Sequence, residues 1–223
     1  MLGVMRIMRG ARGGRRPQSE RSLTSRTRIL DAAVHCLVED GYARTNTLSI
    51  QTRAAVSRGR LLHQFHSKDE LLVAAAHHVF ESLLLEPDGV ERVLPPGASD
   101  PAVRIDAVID LLWATYQHPS FWAATELWVA ARTAPTLADV VRPAERRLGR
   151  VVRDQMDDLF GDELAAHPLY PSLRTLLFTS MRGVVLTYAF DRRDPAAEPA
   201  LAAWKLLARS VLLGERALPG GPV

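Results

Sequence analysis

One cysteine, Cys36, stands among 223 residues. That excludes an internal disulfide framework and fits a reducing compartment. Cys36 lies in an apolar run, where a small buried hydrophobe is the default role. No apolar run reaches 18 residues, so neither a helical membrane span nor a membrane partner is expected. The opening MLGVMRIMRG lacks the continuous apolar stretch of a signal peptide, and a cytoplasmic location is expected. Met5 and Met8 are alternative starts to Met1. Strand alternation and internal repeats are absent. Glycine and proline, 14 of each, are too few for a low-complexity chain. What is present is apolar content, 47% of the residues, enough for one large core or two small ones.

Charge is unevenly placed. Residues 1–28 hold eight arginines and one acid, Glu20, for a net +7. The rest carries 20 basic and 24 acidic residues, a net −4. A basic arm on a mildly acidic body points to a polyanion at the N-terminal end, although a solvated tail has the same composition. Residues 1–22 have no apolar period and read as a disordered basic arm.

Helical spacing begins beyond the arm. Ile29, Leu30, Ala33, Val34, Leu37 and Val38 predict a helix that Thr24 or Ser25 caps and Gly41 stops. Thr47 is expected to cap a short helix running to about Ala54, with Leu48 and Ile50 facing inward. Ala55-Val56 is a tight turn, and Ser57 caps a second short helix ending near Phe65. Ser67, with Glu70 in a capping box, starts a longer helix whose apolar face is Leu71, Leu72, Ala75, Val79 and Leu83. Residues 87–100, PDGVERVLPPGASD, contain three prolines and two glycines and form a loop at the domain boundary. Further helices are predicted at about 101–117, 120–133, 136–160, 169–191 and 196–214, punctuated by Pro119, Pro135, Gly161, Pro168, Pro171 and Pro195. The fold class is all-α: an arm (1–22), an N-terminal three-helix domain with a helix-turn-helix at about 47–66 (23–84), and a larger C-terminal helical bundle (85–223).

In a helix-turn-helix the second helix enters the major groove, and its first residues reach base edges. Here those are Ser57, Arg58, Gly59 and Arg60. Arginine matches guanine O6 and N7 with a bidentate contact. Gly59 removes bulk where backbone meets duplex. Leu61, Leu62 and Phe65 include the anchors to the module core, and His63 and Gln64 lie on faces that can see DNA. The alternative for Arg58 and Arg60 is plain solvated surface charge.

The stretch RILDAAVHCLVEDGYARTNTLSIQTRAAVSRGRLLHQFHSKDELLVAA resembles the N-terminal domain of the TetR family of transcriptional regulators, over about residues 24–84. The resemblance rests on Ile29-Leu30-Asp31-Ala32-Ala33, Glu39 to Tyr42, Thr45, Ile50, Ala54, Val56-Ser57, Gly59, Leu61, Phe65, Ser67-Lys68 and Leu71-Leu72, all correctly spaced. It implies a homodimer on a palindromic double-stranded operator, with recognition helices roughly 34–36 Å apart. It also implies a small-molecule effector that releases DNA, a repressor's role, and no cofactor. It marks Thr45, Thr47, His63 and Lys68 as phosphate contacts, with Arg44 a further DNA-binding candidate. The chain departs from the family at Gln51 and Ala55, where Ala and Gly are usual, at Leu62, where a Tyr contacts phosphate, and at Gln64, where a His is common. Affinity then leans on the arm or on Thr45, Thr47, His63 and Lys68.

In this family the last two long helices form the dimer interface. Here they carry stripes of Leu173, Leu177, Met181, Val184 and Tyr188, and of Leu201, Trp204, Leu207 and Val211. A monomer core is the alternative. Between them and the reading head, Trp113, Tyr116, Phe121, Trp122 and Trp128 form an aromatic cluster that suits either a core or an effector pocket. Glu126, Arg132 and Arg182 are candidate polar groups for that pocket, Arg182 facing an acidic ligand or a core carboxylate. His77 and Glu81, one turn apart, read as a solvated face rather than a metal site. No catalytic constellation, metal site or phosphate-binding glycine loop is evident, so an enzyme is not expected. Two other classes stay open: a nonspecific or architectural DNA-binding protein, and an all-α small-molecule-binding protein.

Overall fold

The computed structural model describes residues 18–84 and 94–215, with side chains from 23 to 78 and from 94 onward. Among them all regular structure is helical. The first helix, α1 (Gln18–Arg44), begins inside the stretch expected to be disordered; residues 1–17 lie outside the described residues. Gly41 interrupts the helical run of α1 at the expected stop, with φ 72° and ψ 169°, a backbone open only to glycine. The chain then makes one more turn to Arg44.

The next helix, α2 (Thr47–Ala54), is capped by Asn46 and not by Thr47. The Asn46 side chain accepts from the N–H groups of Leu48 and Ser49, both at 3.0 Å. Ile50 and Ala54 point into the core. Leu48 stands two positions from Ile50, about 200° around the helix, so it is 67% exposed rather than inward. Ala55 closes the turn in the left-handed region at φ 50° and ψ 50°. Such a backbone costs a residue with a side chain about 1–2 kcal/mol. Arg28 of α1 braces the turn by donating to the carbonyls of Ala54 (2.5 Å) and Ala55 (3.4 Å).

The recognition helix, α3 (Arg58–Gln64), starts at Ser57, whose hydroxyl accepts from the Arg60 N–H. In front of α4 (Lys68–Leu84), Ser67 accepts from the Glu70 N–H at 3.0 Å. The Glu70 carboxylate turns back to the His66 N–H, one residue earlier than a strict capping box. The side chains of Val79, Glu81 and Leu83 lie outside the described residues, as do loop residues 87–93.

The C-terminal part comprises α5 (Pro101–Tyr116), α6 (Pro119–Ala131), α7 (Pro135–Phe160), the short α8 (Asp162–Ala165), α9 (Tyr170–Thr187) and α10 (Pro199–Leu213). Proline opens α5, α6, α7 and α10, where its fixed φ fits and no N–H is needed. Two cores result. One joins α1–α4 to Ala123, Ala124 and Leu127 of α6 and Leu137, Val141 and Ala144 of α7. The other fills the space among α5, the end of α7, α9 and α10. The first core thus draws on both sides of residue 84.

Candidate nucleic-acid interface and effector cavity

Arginines near the reading head divide into two groups. Arg28 braces the turn, Arg53 pairs with Glu39 across α1 and α2, and Arg26 lies over the Phe65 ring at 4.6 Å. Arg58 and Arg60 have no hydrogen bond or ion pair from their side chains to another described residue. Arg58, Gly59 and His63 are exposed, and Arg60 and Gln64 half-buried. A β-carbon built at Gly59 would meet nothing within 4 Å, so no packing inside the chain demands a glycine there. Leu61 and Phe65 are the anchors, while Leu62 is 49% exposed and anchors nothing.

The other expected DNA contacts fare differently. Thr47 is exposed at the start of α2. Arg44 is exposed, its Nε donating to the Asp40 carbonyl. Thr45 is buried: its hydroxyl donates to the carbonyls of Gly41 (2.7 Å) and Cys36 (3.0 Å), next to the kink. It is an internal tie and does not face solvent. Ser57 uses its hydroxyl as the α3 cap. Lys68 is half-buried; its Nζ donates to the Tyr42 carbonyl at 3.0 Å and lies 4.3 Å from the centre of that ring. Burial holds the Lys68 ammonium below its ordinary pKa.

Tyr42 is a junction. Its hydroxyl donates to Asp69 of α4 at 2.9 Å, and its backbone N–H donates to Glu126 of α6 at 3.2 Å. Burial and the Asp69 hydrogen bond push the phenol up to about 12. Glu126 is therefore a tie between α6 and the reading head, outside the cavity wall.

A cavity of about 280 Å³ opens among α5, α6, α7 and α9. Of the residues expected there, Tyr116, Phe121, Trp128 and Arg182 line it, and Trp113, Trp122, Glu126 and Arg132 do not. Trp113 is core: its Nε1 donates to the Pro195 carbonyl at 2.9 Å and its rings pack on Trp204 and Tyr188. Trp122 sits behind Phe121, edge to face, and Arg132 is exposed beyond the end of α6. The Tyr116 hydroxyl donates to the Phe178 carbonyl at 3.0 Å, and burial raises its pKa to about 12. Arg182 lies over the Trp128 ring at 4.9 Å.

Sequence reasoning missed the α7 side of the cavity, above all Glu145, Val152, Arg153 and Met156. Its signal was available: positions 141, 145, 148, 152, 156 and 159 recur at helical spacing, and Glu145 is the carboxylate among apolar neighbours. Glu145 Oε1 lies 2.9 Å from His77 Nε2 of α4. His77 is thus buried, not on a solvated face as expected. Its partner comes from 68 residues away, beyond the reach of local spacing. Burial pushes the Glu145 carboxyl up, yet hydrogen bonds from His77 and Trp128, with Arg182 nearby, leave it below its ordinary range.

Five of the nine expected dimer residues are also relocated. Leu173, Leu177, Met181, Tyr188 and Trp204 are buried in the chain's own second core. Val184, Leu201 and Val211 are half-buried at its edge, and Leu207 is exposed. The outward faces are instead Leu176, Leu186 and Phe190 on and just beyond α9, and Leu206, Leu207 and Leu213 on α10. Among the described residues no cluster of potential ligands could hold a metal ion, and no helix is long and apolar enough to cross a membrane.

The head thus has the geometry of a helix-turn-helix, whose second helix suits the major groove, and the helical body carries a cavity. Residues 29–75 match the bacterial regulatory proteins of the tetR family. The chain is 26% identical over 172 residues to the HTH-type transcriptional regulator CymR of Pseudomonas putida, spanning 77% of this chain and 83% of that one. A transcriptional regulator from Rhodococcus sp. Rha1 shares the fold with a TM-score of 0.62, at 24% identity over 87% of this chain and 100% of that one. The multidrug binding protein EbrR, solved with ethidium, does so with a TM-score of 0.53, at 21% identity over 83% and 96%. Residues 29–75 thus match the tetR-family domain, and over most of its length the chain is similar to transcriptional regulators.

Proposed function

We propose that the protein is a homodimeric repressor that holds a palindromic operator through paired α3 helices and releases it when a small molecule fills the cavity. The observation that carries this reading is the Glu145–His77 contact. Glu145 lines the cavity, and His77 belongs to α4, the helix that follows α3. An effector that binds one placement of α4 better than another shifts the population by that difference in affinity. Arg58 and Arg60, without partners in the described chain, supply the base contacts, and Thr47, Arg44 and His63 the neighbouring phosphate contacts. The outward apolar faces of α9 and α10 supply the dimer interface. EbrR binds an organic dye within the same fold, which fits an effector in this body.

The test is fluorescence anisotropy on DNA flanking the gene, at low and moderate salt, with Arg58→Ala and Arg60→Ala. Each substitution should cost about 1–3 kcal/mol at its own base pair. Binding that disappears with salt and ignores both substitutions would replace this reading with a nonspecific DNA binder.

A further inference from the structure

We propose that the cavity takes an amphipathic carboxylate: an apolar body, a medium-length acyl chain or a single ring, with its anionic end held by Arg153 and Arg182. The inference rests on the reading of this cavity as the effector site and adds the chemical class of the effector.

Size comes first. An apolar cavity of about 150 Å³ holds a benzene, and drug-sized ligands fill roughly 300–1,000 Å³. At about 280 Å³ this cavity suits one ring with a short substituent, or a medium-length chain. Its walls are largely apolar, with Leu112, Phe121, Leu148, Met156 and Phe178 among them, so the body of the ligand is apolar.

Polar groups decide the sign of the head group. Four charged side chains line the cavity: Glu145, Arg153, Arg174 and Arg182. Glu145 is occupied by His77, and Arg174 by Asp157. The hydroxyls of Thr175 and Thr179 donate to carbonyls one turn back on their own helix, at 2.9 Å and 2.8 Å. Two cations remain. Arg153 makes no hydrogen bond or ion pair with another described residue. Its guanidinium lies along α7 over Gly149, where an added β-carbon would stand 3.4 Å from Nη1, so the glycine leaves room for it. Arg182 is held over the Trp128 ring, hydrogen-bonded to Tyr116 and within electrostatic reach of Glu145, whose hydrogen bonds come from His77 and Trp128. Both are exposed residues that also line the cavity, which places them where its wall meets solvent. A carboxylate there meets two guanidinium forks while its apolar body enters between the helices. A cationic head group would meet two like charges.

The experiment is calorimetric titration of the full chain with three probes of one chain length: octanoate, 1-octanol and octylammonium. Octanoate is expected to bind about tenfold or more tightly than 1-octanol, with octylammonium weakest. Arg153→Ala with Arg182→Ala should remove about tenfold from octanoate affinity and leave 1-octanol within about twofold. Both side chains are exposed, so the variant should fold; its helical circular dichroism checks this. Equal binding of octanoate and 1-octanol, tighter binding of octylammonium, no octanoate binding, or insensitivity to the double substitution each overturns the proposal. The same samples are tested on operator DNA. Octanoate binding without DNA release keeps the carboxylate site and removes its role as effector site. Intact DNA binding without octanoate binding removes the carboxylate and leaves the regulator.

Discussion

Glu126 of α6 accepts a hydrogen bond from the backbone N–H of Tyr42 at 3.2 Å, immediately after the kink at Gly41. The kink makes this tie between reading head and body. It frees the Tyr42 N–H from the α1 ladder, and the missing Cβ of Gly41 lets the carboxylate approach: a β-carbon there would lie 3.0 Å from Glu126 Oε2. Gly41→Ala should therefore lower stability by about 1–3 kcal/mol, from backbone strain before any clash. Thermal unfolding should show a midpoint lower by about 2–4 °C per kcal/mol. An unchanged midpoint would mean that the kink is not needed.

Gly59 separates stability from binding. Inside the chain it wastes helix propensity, since a β-carbon would meet nothing. Gly59→Ala should raise stability by about 0.5–1 kcal/mol. In the proposed complex the added methyl would stand between α3 and the duplex, so operator affinity should fall. A variant that is more stable and binds equally well would place the duplex elsewhere.

The dimer prediction follows the outward faces. Leu176 is 49% and Leu206 41% exposed, whereas Leu177 is 1%. Leu176→Glu with Leu206→Glu should yield a folded monomer in sedimentation velocity, with weakened operator binding. Leu177→Glu should unfold the second core instead. A double variant that remains dimeric would move the interface off α9 and α10.

Glu145 gives a pH signature. Its carboxyl lies below the ordinary value of 4.5 in the folded chain. A depressed acid contributes stability that is full above the unfolded value and is lost as pH falls through the folded one. Glu145→Gln should then destabilise the protein most at neutral pH, and the gap in urea midpoint should close as pH falls below the ordinary carboxyl value of 4.5. A constant gap across that range would show that the charge of Glu145 is not what holds His77.

The reading head was legible because its signals are local. Ser57, Ser67 and the spacing of Ile50, Ala54, Leu61 and Phe65 act within one or two turns, and each settles its helix without help from elsewhere. The small errors there are also local: Asn46 outcompetes Thr47 as a cap, and Leu48, two positions from the buried Ile50, faces outward. Ala55 adopts a left-handed turn that propensity would give to glycine, held by Arg28 from 26 residues away.

By itself, then, the sequence determined the main helices, their order and the Arg58-Gly59-Arg60 start of α3, since these depend on periodicity and capping. Only the tertiary structure decided which side of α9 and α10 is core, because both sides are apolar and periodicity cannot rank them. It alone buried Thr45 and His77, took Trp113, Trp122, Glu126 and Arg132 out of the cavity wall, and brought in Glu145 and Arg153. Those roles depend on partners tens of residues distant, and contacts of that kind exist only once the helices have packed.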